Sequence, residues 1–193
     1  MKPIKIILAS GSPRRRQLLK LANIPHEVIV SNTDETIEGE PMYQVLELAL
    51  RKNKAVQPLV NHEAIIISAD TLVYIDGEVL GKPSGADEAY KMLKKLQGKP
   101  HTVYTGVALY RTTDGMLDSF TAKADVFFHP LTDKEIHAYI KTGEPFDKAG
   151  AYGIQERGAV LVEKVIGDFY TVVGLPISMV CKSLAKMGYD IWE

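Results

Sequence analysis

The stretch Ile4-Lys5-Ile6-Ile7-Leu8-Ala9-Ser10-Gly11-Ser12-Pro13-Arg14-Arg15-Arg16 indicates how the fold begins. Its mostly apolar first half, Ile4–Ala9, predicts a short buried strand, and the small residues that follow predict a loop. Ser12 is a typical N-cap, and Pro13 suits the first turn of a helix. The stretch therefore predicts a strand, a loop and a helix that begins with three arginines.

The rest of the chain alternates predicted strands and helices with hairpins. Asp76-Gly77 is a hairpin-turn signal, while Ser84 with Asp87 and Thr132 with Glu135 are typical of helix starts. Interleaved helices and hairpins favour an α/β or α+β domain with a mixed or largely antiparallel sheet. The other predicted strands cover residues 28–30, 64–68, 103–110, 119–128 and 159–165, and the other predicted helices cover residues 43–55 and 178–187.

Length and composition are those of an ordinary globular protein. The chain has 193 residues, 46% of them hydrophobic, with 23 Lys+Arg against 24 Asp+Glu. We expect a single domain over residues 1–193, either undivided or with two lobes around a cleft. The near-neutral charge argues against a nucleic-acid partner, and no apolar stretch has the length of a membrane span. We therefore expect no nucleic-acid or membrane partner and a cytoplasmic location.

Several kinds of site lack their sequence signatures. Cys181 is the single cysteine, which excludes an intramolecular disulfide and a cysteine-based zinc site. The five histidines lack metal-ligand spacing. The motifs GxGxxG and GxSxG and the Walker P-loop are absent, which argues against dinucleotide dehydrogenases, α/β-hydrolases and P-loop NTPases.

Three consecutive arginines, Arg14, Arg15 and Arg16, begin the first predicted helix. Their charges oppose the positive end of the helix dipole, and a bound anion would remove that conflict. Backbone N–H groups and guanidinium groups together form a strong phosphate site. The alternative is that the arginines are solvated surface cations, although the preceding strand and small-residue loop favour anion binding.

Asp70 follows the apolar stretch Ala64–Ala69 and precedes Thr71. A carboxylate at the end of a buried strand can act as a general base or a metal ligand, and the alternative is an aspartate that stabilises a turn. The acidic segment Asp34–Glu40 predicts mostly a solvated loop. One inward carboxylate from it would complete a magnesium site, because Mg²⁺ commonly takes one or two protein carboxylates together with phosphate oxygens.

Other polar side chains suit a nucleotide. Lys82 stands on a rigid Gly-Lys-Pro turn from which it could reach a phosphate, or it is a surface lysine. Lys52 and Lys54 are two positions apart on a predicted helix, so they do not share a face and only one of them is expected to point into a cleft. Gln155 could read a base edge through paired hydrogen bonds, with a structural loop residue as the alternative.

Six segments together resemble the Maf family of nucleoside triphosphate pyrophosphatases, also called septum-formation inhibitors. Each segment alone is a weak signal, but all six occur in the family's order and span nearly the whole chain. The segments are Leu8–Arg16, Ser68–Val73, Leu80–Pro83, His101–Val107, Gly143–Gln155 and Val173–Pro176.

The resemblance implies an elongated α/β fold of the inosine-triphosphatase kind, with a mixed sheet flanked by helices, a deep nucleotide-binding cleft and assembly as a homodimer. It implies hydrolysis of a nucleoside triphosphate to the monophosphate and pyrophosphate, with a divalent cation, Mg or Mn. Asp70 matches the proton acceptor, and Glu35 matches an acidic position that would bind the metal together with Asp70. The substrate-binding positions are Ser10, Ser12, Arg14, Arg15, Lys54 and Lys82.

Three positions resemble the branch of the family that acts on dTTP and UTP: Arg14, Thr71 and Gln155. The branch that acts on 7-methyl-GTP differs at these places. Glu156 departs from the pattern, because a small Gly often follows the glutamine. The implied role is house-cleaning of the nucleotide pool, including modified pyrimidine nucleotides, with a link to cell division. The alternative is a nucleotide-binding regulator of septum formation that acts through protein partners with little turnover.

Overall fold

The computed structural model describes residues 4–30 and 32–192. Within them, seven strands alternate with six α-helices and several short 3₁₀ turns, and no helix combines the length and apolar character needed to cross a membrane. The strands are β1 (Lys5–Leu8), β2 (Glu27–Val28), β3 (Ala64–Ile75), β4 (Glu78–Leu80), β5 (Pro100–Arg111), β6 (Leu117–Phe128) and β7 (Val162–Gly167). The helices are α1 (Pro13–Leu21), α2 (Pro41–Val56), α3 (Ala86–Leu96), α4 (Asp133–Ile140), α5 (Phe169–Val173) and α6 (Ile177–Lys186).

The described strands form one sheet in the order β2-β1-β3-β5-β6-β7, with β4 paired to β3. Strand β1 runs parallel to β2 and β3, with Leu8 opposite both Val28 and Ile67. Strands β4 and β7 pair in the antiparallel sense with β3 and β6. The mixed sheet with its helices confirms the predicted fold class.

The described residues divide into two compact units. The first contains the described residues up to Asp70, the segment Thr105–Ala122 and the described residues from Gly174 onward. The second contains Thr71–Tyr104 and Lys123–Val173.

Each unit has its own apolar core. In the first, β1 and the start of β3 are buried on both faces, because their runs of isoleucine, leucine and alanine match strands covered on both sides. Helix α2 packs Val45, Leu48 and Ala49 into the core at helical spacing. The core of the second unit includes the buried faces of α3 and α4 and an aromatic cluster formed by His101, Phe128 and Tyr152. Helix α3 buries Ala89, Met92, Leu93 and Leu96.

Several local predictions are confirmed. The strand, loop and helix at the start occur where expected. Asp76 and Gly77 have φ of 50° and 82°, as a hairpin turn requires, and Val73 pairs with Leu80 across it. Thr132 and Glu135 form a reciprocal capping box at the start of α4.

Other boundaries were predicted wrongly. Strand β3 does not end before Asp70 but continues to Ile75, so Asp70 lies within the strand and not at its end. Helix α3 has Gly85 as its N-cap, so Ser84 lies outside the helix and bonds to the Glu88 carboxylate instead of forming a box with Asp87. The predicted last strand starts later, at Val162, because a 3₁₀ turn precedes it.

Candidate active site

Three charged side chains of the first unit meet at one point. The Lys52 ammonium of α2 lies 2.6 Å from Asp70 Oδ1 on β3 and 2.7 Å from Glu35 Oε1 in the segment before α2. Lys52 and Asp70 expose 16% and 15% of their side chains, whereas Glu35 exposes 62%. The cluster is therefore an inner ion pair with a second carboxylate on its solvent side.

The lysine in this cluster is Lys52, and the position expected from the resemblance, Lys54, is exposed. Two residues along a helix correspond to about 200° around its axis, so the two lysines emerge on different sides. Lys52 follows the buried Leu48 and Ala49 by four and three positions, which puts it on the face of α2 that meets the sheet. That spacing is visible in the sequence and places Lys52 beside Asp70, while the phosphate contact of Lys54 stays a prediction.

Helix α1 turns Arg15 inward. Arg15 Nη1 donates to Ser10 Oγ over 3.0 Å, and Arg15 Nε donates to the Gly174 carbonyl oxygen over 2.8 Å. The Ser12 N–H also donates to Ser10 Oγ, over 3.3 Å. Ser12 is the N-cap residue, as predicted, although within the described structure its side chain forms no capping hydrogen bond. The Ser10 hydroxyl orders the loop instead.

Arg15 lies in the electrostatic field of the other site residues. In decreasing order of effect, burial lowers the pKa of Arg15, Asp70 raises it, Arg14 lowers it and Glu35 raises it. Arg15 is thus close enough to Arg14, Asp70 and Glu35 for their charges to act on it. The first unit therefore brings the predicted loop and Arg15 near both predicted metal-binding carboxylates.

Three further residues implicated by the resemblance belong to the second unit. Thr71 is half-buried directly after Asp70, Lys82 is exposed after β4, and Gln155 is half-buried just before a 3₁₀ turn. Their contacts with phosphate and base stay predictions.

Glu35 and Asp70 are the residues that would bind the divalent cation implied by the resemblance. Within the described residues, no group of three or more His, Cys, Asp or Glu is arranged to hold a metal ion. Glu35 and Asp70 nevertheless both contact the Lys52 ammonium, so two carboxylates converge on one cation. Mg²⁺ and Mn²⁺ accept such a pair when phosphate and water oxygens supply the remaining ligands. The residues present therefore fit a divalent cation that arrives with an anionic substrate.

Comparison with known proteins identifies the family. The profile of the family described as Maf-like protein matches residues 5–187. The chain belongs to the Maf family. Its relatives include a protein of Bacillus cereus, 47% identical over 97% of both chains, and one of Bacillus cytotoxicus, 50% identical over 94% of this chain and 95% of its own. A third, from a Thermoanaerobacter species, is 49% identical over 97% of this chain and 98% of its own.

Each of these three Maf relatives is named dTTP/UTP pyrophosphatase. Among solved structures, the Ham1 protein of Staphylococcus aureus aligns over 64% of this chain and 71% of its own, with 17% identity and a TM-score of 0.44. That likeness is too distant to support a conclusion about this chain.

Two of the segments that resemble the Maf family help to build the site through their backbone atoms. The Gly174 carbonyl oxygen orients Arg15, a role that the sequence did not indicate. A Cβ on Gly106 would lie 2.3 Å from the Val45 carbonyl oxygen and 2.6 Å from the Leu46 nitrogen. Helix α2 therefore rests directly on β5, at a distance that no side chain at position 106 would allow.

A buried amide fixes the rotation of α2 in this Maf chain. Asn53 Nδ2 donates to the carbonyl oxygens of Ile66 and Ala108 over 2.9 and 3.1 Å. Asn53 is 1% exposed, so losing either bond would leave a buried polar group unsatisfied. Because Asn53 directly follows Lys52, these bonds determine the side on which Lys52 meets Asp70.

Proposed function

We propose that this chain hydrolyses dTTP and UTP to the nucleoside monophosphate and pyrophosphate. Its similarity over nearly the whole length to relatives named dTTP/UTP pyrophosphatase supports the reaction and the substrates. The observation that carries the proposal is the contact of Lys52 with both Asp70 and Glu35, in the electrostatic field of Arg15. A site that only bound a nucleotide would not need a half-buried carboxylate beside its cations.

The start of α1 binds the phosphates in this proposal. Its N–H groups and the Arg14 and Arg15 guanidinium groups offer positive charge to the anionic triphosphate. Lys52 also binds phosphate once the substrate competes with Asp70 and Glu35 for its ammonium. Lys82 is proposed as a further phosphate contact. Charge that develops on the leaving pyrophosphate is stabilised by these groups, which is commonly a large part of catalysis in phosphoryl transfer.

Asp70 is proposed as the general base. It orients a water molecule in line with the leaving pyrophosphate and accepts the proton as the water attacks. General-base catalysis typically contributes about 10²–10⁴ in rate. The low exposure of Asp70, 15% of its side chain, supports this role because the carboxylate is shielded from bulk water.

Glu35 and Asp70 would hold the divalent cation, Mg or Mn. When bound, such a cation would neutralise phosphate charge and polarise the bond that breaks. The solvent-side position of Glu35 supports this role, since its carboxylate is accessible to a cation that enters with the nucleotide.

Gln155 is proposed to read the base, with Thr71 and Arg14 as further determinants of specificity. Uracil and thymine present an acceptor at O4 and a donor at N3, which together suit a side-chain amide. Cytosine reverses that pair. Since an amide can flip, discrimination requires neighbours that fix its orientation.

Pyrophosphate release from a panel of nucleoside triphosphates, with Mg²⁺, Mn²⁺ or a chelator, tests the proposal. Metal-dependent turnover of dTTP and UTP above the other nucleotides is the expected result. Turnover centred on a purine nucleotide would contradict the substrate assignment. No turnover by the folded protein would contradict the enzyme and favour the regulator of septum formation.

Assembly and cellular role are predictions that the family supports. We expect a homodimer, a cytoplasmic location and a role in clearing the nucleotide pool, including modified pyrimidine nucleotides. Sedimentation velocity would test the dimer directly. Cell length in a strain that overproduces the inactive Asp70→Asn variant would show whether any effect on septum formation requires catalysis.

A further inference from the structure

We propose that Glu144 is a positioning residue for base selection, because its carboxylate holds the backbone segment that carries Gln155. The inference rests on the proposed function, in which Gln155 reads the base of UTP or dTTP. All of the residues involved belong to the second unit.

The Glu144 carboxylate accepts three hydrogen bonds. Oε1 accepts from the Tyr139 hydroxyl over 3.0 Å and from the Gly158 N–H over 3.1 Å, and Oε2 accepts from the Arg157 N–H over 3.2 Å. Arg157 and Gly158 follow Gln155 closely in the chain. The carboxylate therefore fixes the backbone on the C-terminal side of Gln155.

The same network reaches the N-terminal side. The Gly153 N–H donates to the Tyr139 hydroxyl over 3.1 Å, and this hydroxyl in turn donates to Glu144. Burial raises the pKa of Tyr139, which keeps the phenol protonated and able to donate. Just before Gly153, the buried Tyr152 has its hydroxyl 2.7 Å from His101 Nε2. Gln155 thus stands between two anchored pieces of backbone.

Close packing leaves this segment little freedom to adjust. A Cβ on Gly158 would lie 2.0 Å from the Gly153 carbonyl oxygen, and a Cβ on Gly153 would lie 2.6 Å from Lys148 Cε. Lys148 Nζ itself donates to the Glu144 carbonyl oxygen over 2.7 Å. Because neither glycine has room for a Cβ, the backbone here is closely packed, and a change at Glu144 is passed to the backbone beside Gln155.

A carboxylate is needed at position 144 because all of its partners are donors. A glutamine there would have one acceptor oxygen and one NH₂ group. Depending on how the amide is turned, the NH₂ group would face either the Arg157 N–H or the two donors that now bind Oε1. At least one of the three hydrogen bonds, two of them part-buried, would be replaced by a donor–donor contact. Once the segment is released, the Gln155 amide can turn. An amide that turns freely accommodates uracil and cytosine alike, because the two bases present opposite donor–acceptor patterns.

Steady-state kinetics with UTP and CTP test the inference in four proteins: wild type, Glu144→Gln, Tyr139→Phe and Gln155→Ala. We expect wild type to prefer UTP. Glu144→Gln should lower the UTP-to-CTP ratio of kcat/KM at least about tenfold, chiefly through a higher KM for UTP. Tyr139→Phe keeps the carboxylate and should lower the ratio less. The ratio is measured on one preparation, so it does not depend on the folded fraction, and Tyr139→Phe provides the test if Glu144→Gln does not fold.

Glu135→Gln is the matched control. Glu135 accepts from Thr132 in the capping box of α4, where glutamine serves as well as glutamate, so the ratio should stay within about twofold of wild type. If Gln155→Ala lowers the ratio while Glu144→Gln and Tyr139→Phe retain it, the inference is overturned and the proposed function stands. An unchanged ratio in Gln155→Ala also overturns it. Wild type that turns over neither nucleotide overturns the proposed function itself.

Discussion

The Lys52 ammonium lies 2.6 Å from Asp70 Oδ1, and both side chains are shielded from solvent. Their meeting depends on how α2 is seated, since Asn53 binds the Ile66 carbonyl oxygen on the same strand that carries Asp70. Helix rotation and strand position are thus fixed by buried hydrogen bonds only one residue away from the ion pair. A basic residue at position 54 cannot replace Lys52, because it emerges on a different side of α2.

Lys52→Met and Lys54→Met separate the two lysines by function. We expect Lys52→Met to lower kcat/KM for UTP about 10²–10³-fold, because a charge that faces the transferring phosphoryl group is removed. Lys54→Met should change it less than about threefold, as is typical of an exposed charge. Steady-state pyrophosphate release measures both variants. The reverse ranking would support Lys54 as the phosphate contact and contradict the assignment of Lys52.

Metal binding without nucleotide should reveal competition by Lys52. Its ammonium contacts the two carboxylates that would hold the divalent cation. Removing the ammonium leaves Glu35 and Asp70 without this positive partner, so we expect Lys52→Met to bind Mn²⁺ at least about tenfold more tightly than wild type. Isothermal titration calorimetry with Mn²⁺ alone measures this, with Lys54→Met as the control. Equal or weaker binding by Lys52→Met would show that the carboxylates do not form the metal site.

Stability should fall on mild acidification because of His101. Burial lowers the pKa of His101 to about 4 from an ordinary value of 6.5, an effect that the charge of Asp125 opposes. Between these values the unfolded chain binds a proton that the folded chain excludes. The stability is therefore complete above pH 6.5 and is lost as the pH falls toward 4, by up to about 3 kcal/mol.

Urea unfolding at several pH values between 6.5 and 5 measures this dependence. Glutamine can still bond to the Tyr152 hydroxyl but does not titrate, so His101→Gln should flatten the slope. The exposed His129 provides the control, and His129→Gln should keep the slope of wild type. If the stability of His101→Gln depended on pH as steeply as that of wild type, His101 would not be the origin of the pH dependence.

Glu156 adopts a backbone conformation that favours glycine. Its φ of 56° lies in the left-handed region, which costs a side-chain residue about 1–2 kcal/mol, partly offset by the entropy that a glycine loses on folding. We expect Glu156→Gly to raise the free energy of unfolding by about 0.5–1 kcal/mol. Glu156→Ala removes the same charge but keeps a Cβ, so it should give no gain. A similar gain in both variants would assign the effect to the charge instead.

The sequence predicted elements whose signals are local. The strand, loop and helix at the start, the Asp76-Gly77 turn and the Thr132 capping box each depend on neighbouring residues and occur as expected. The end of β3 was predicted wrongly because Asp70 looks like a strand terminator. The Asp76-Gly77 signal predicts the hairpin with β4, but no local signal shows that the strand before Asp70 and the strand before this turn are one continuous strand.

The site was predicted less completely because its contacts join distant parts of the chain. The resemblance brought Asp70 and Glu35 together but did not name Lys52, which contacts both of them. The bond from Arg15 to the Gly174 carbonyl oxygen spans most of the sequence and involves a backbone atom, which leaves no trace in residue type. The three hydrogen bonds of Glu144 were missed for the same reason, since two of their donors are backbone N–H groups.

Asp70→Asn tests the central claim most directly. Pyrophosphate release from UTP with Mg²⁺ is measured beside UTP binding to the same protein. We expect kcat to fall at least about 10²-fold, because asparagine cannot accept the proton of the attacking water, while UTP still binds. Turnover close to wild type by Asp70→Asn would contradict the assignment of Asp70 as the general base.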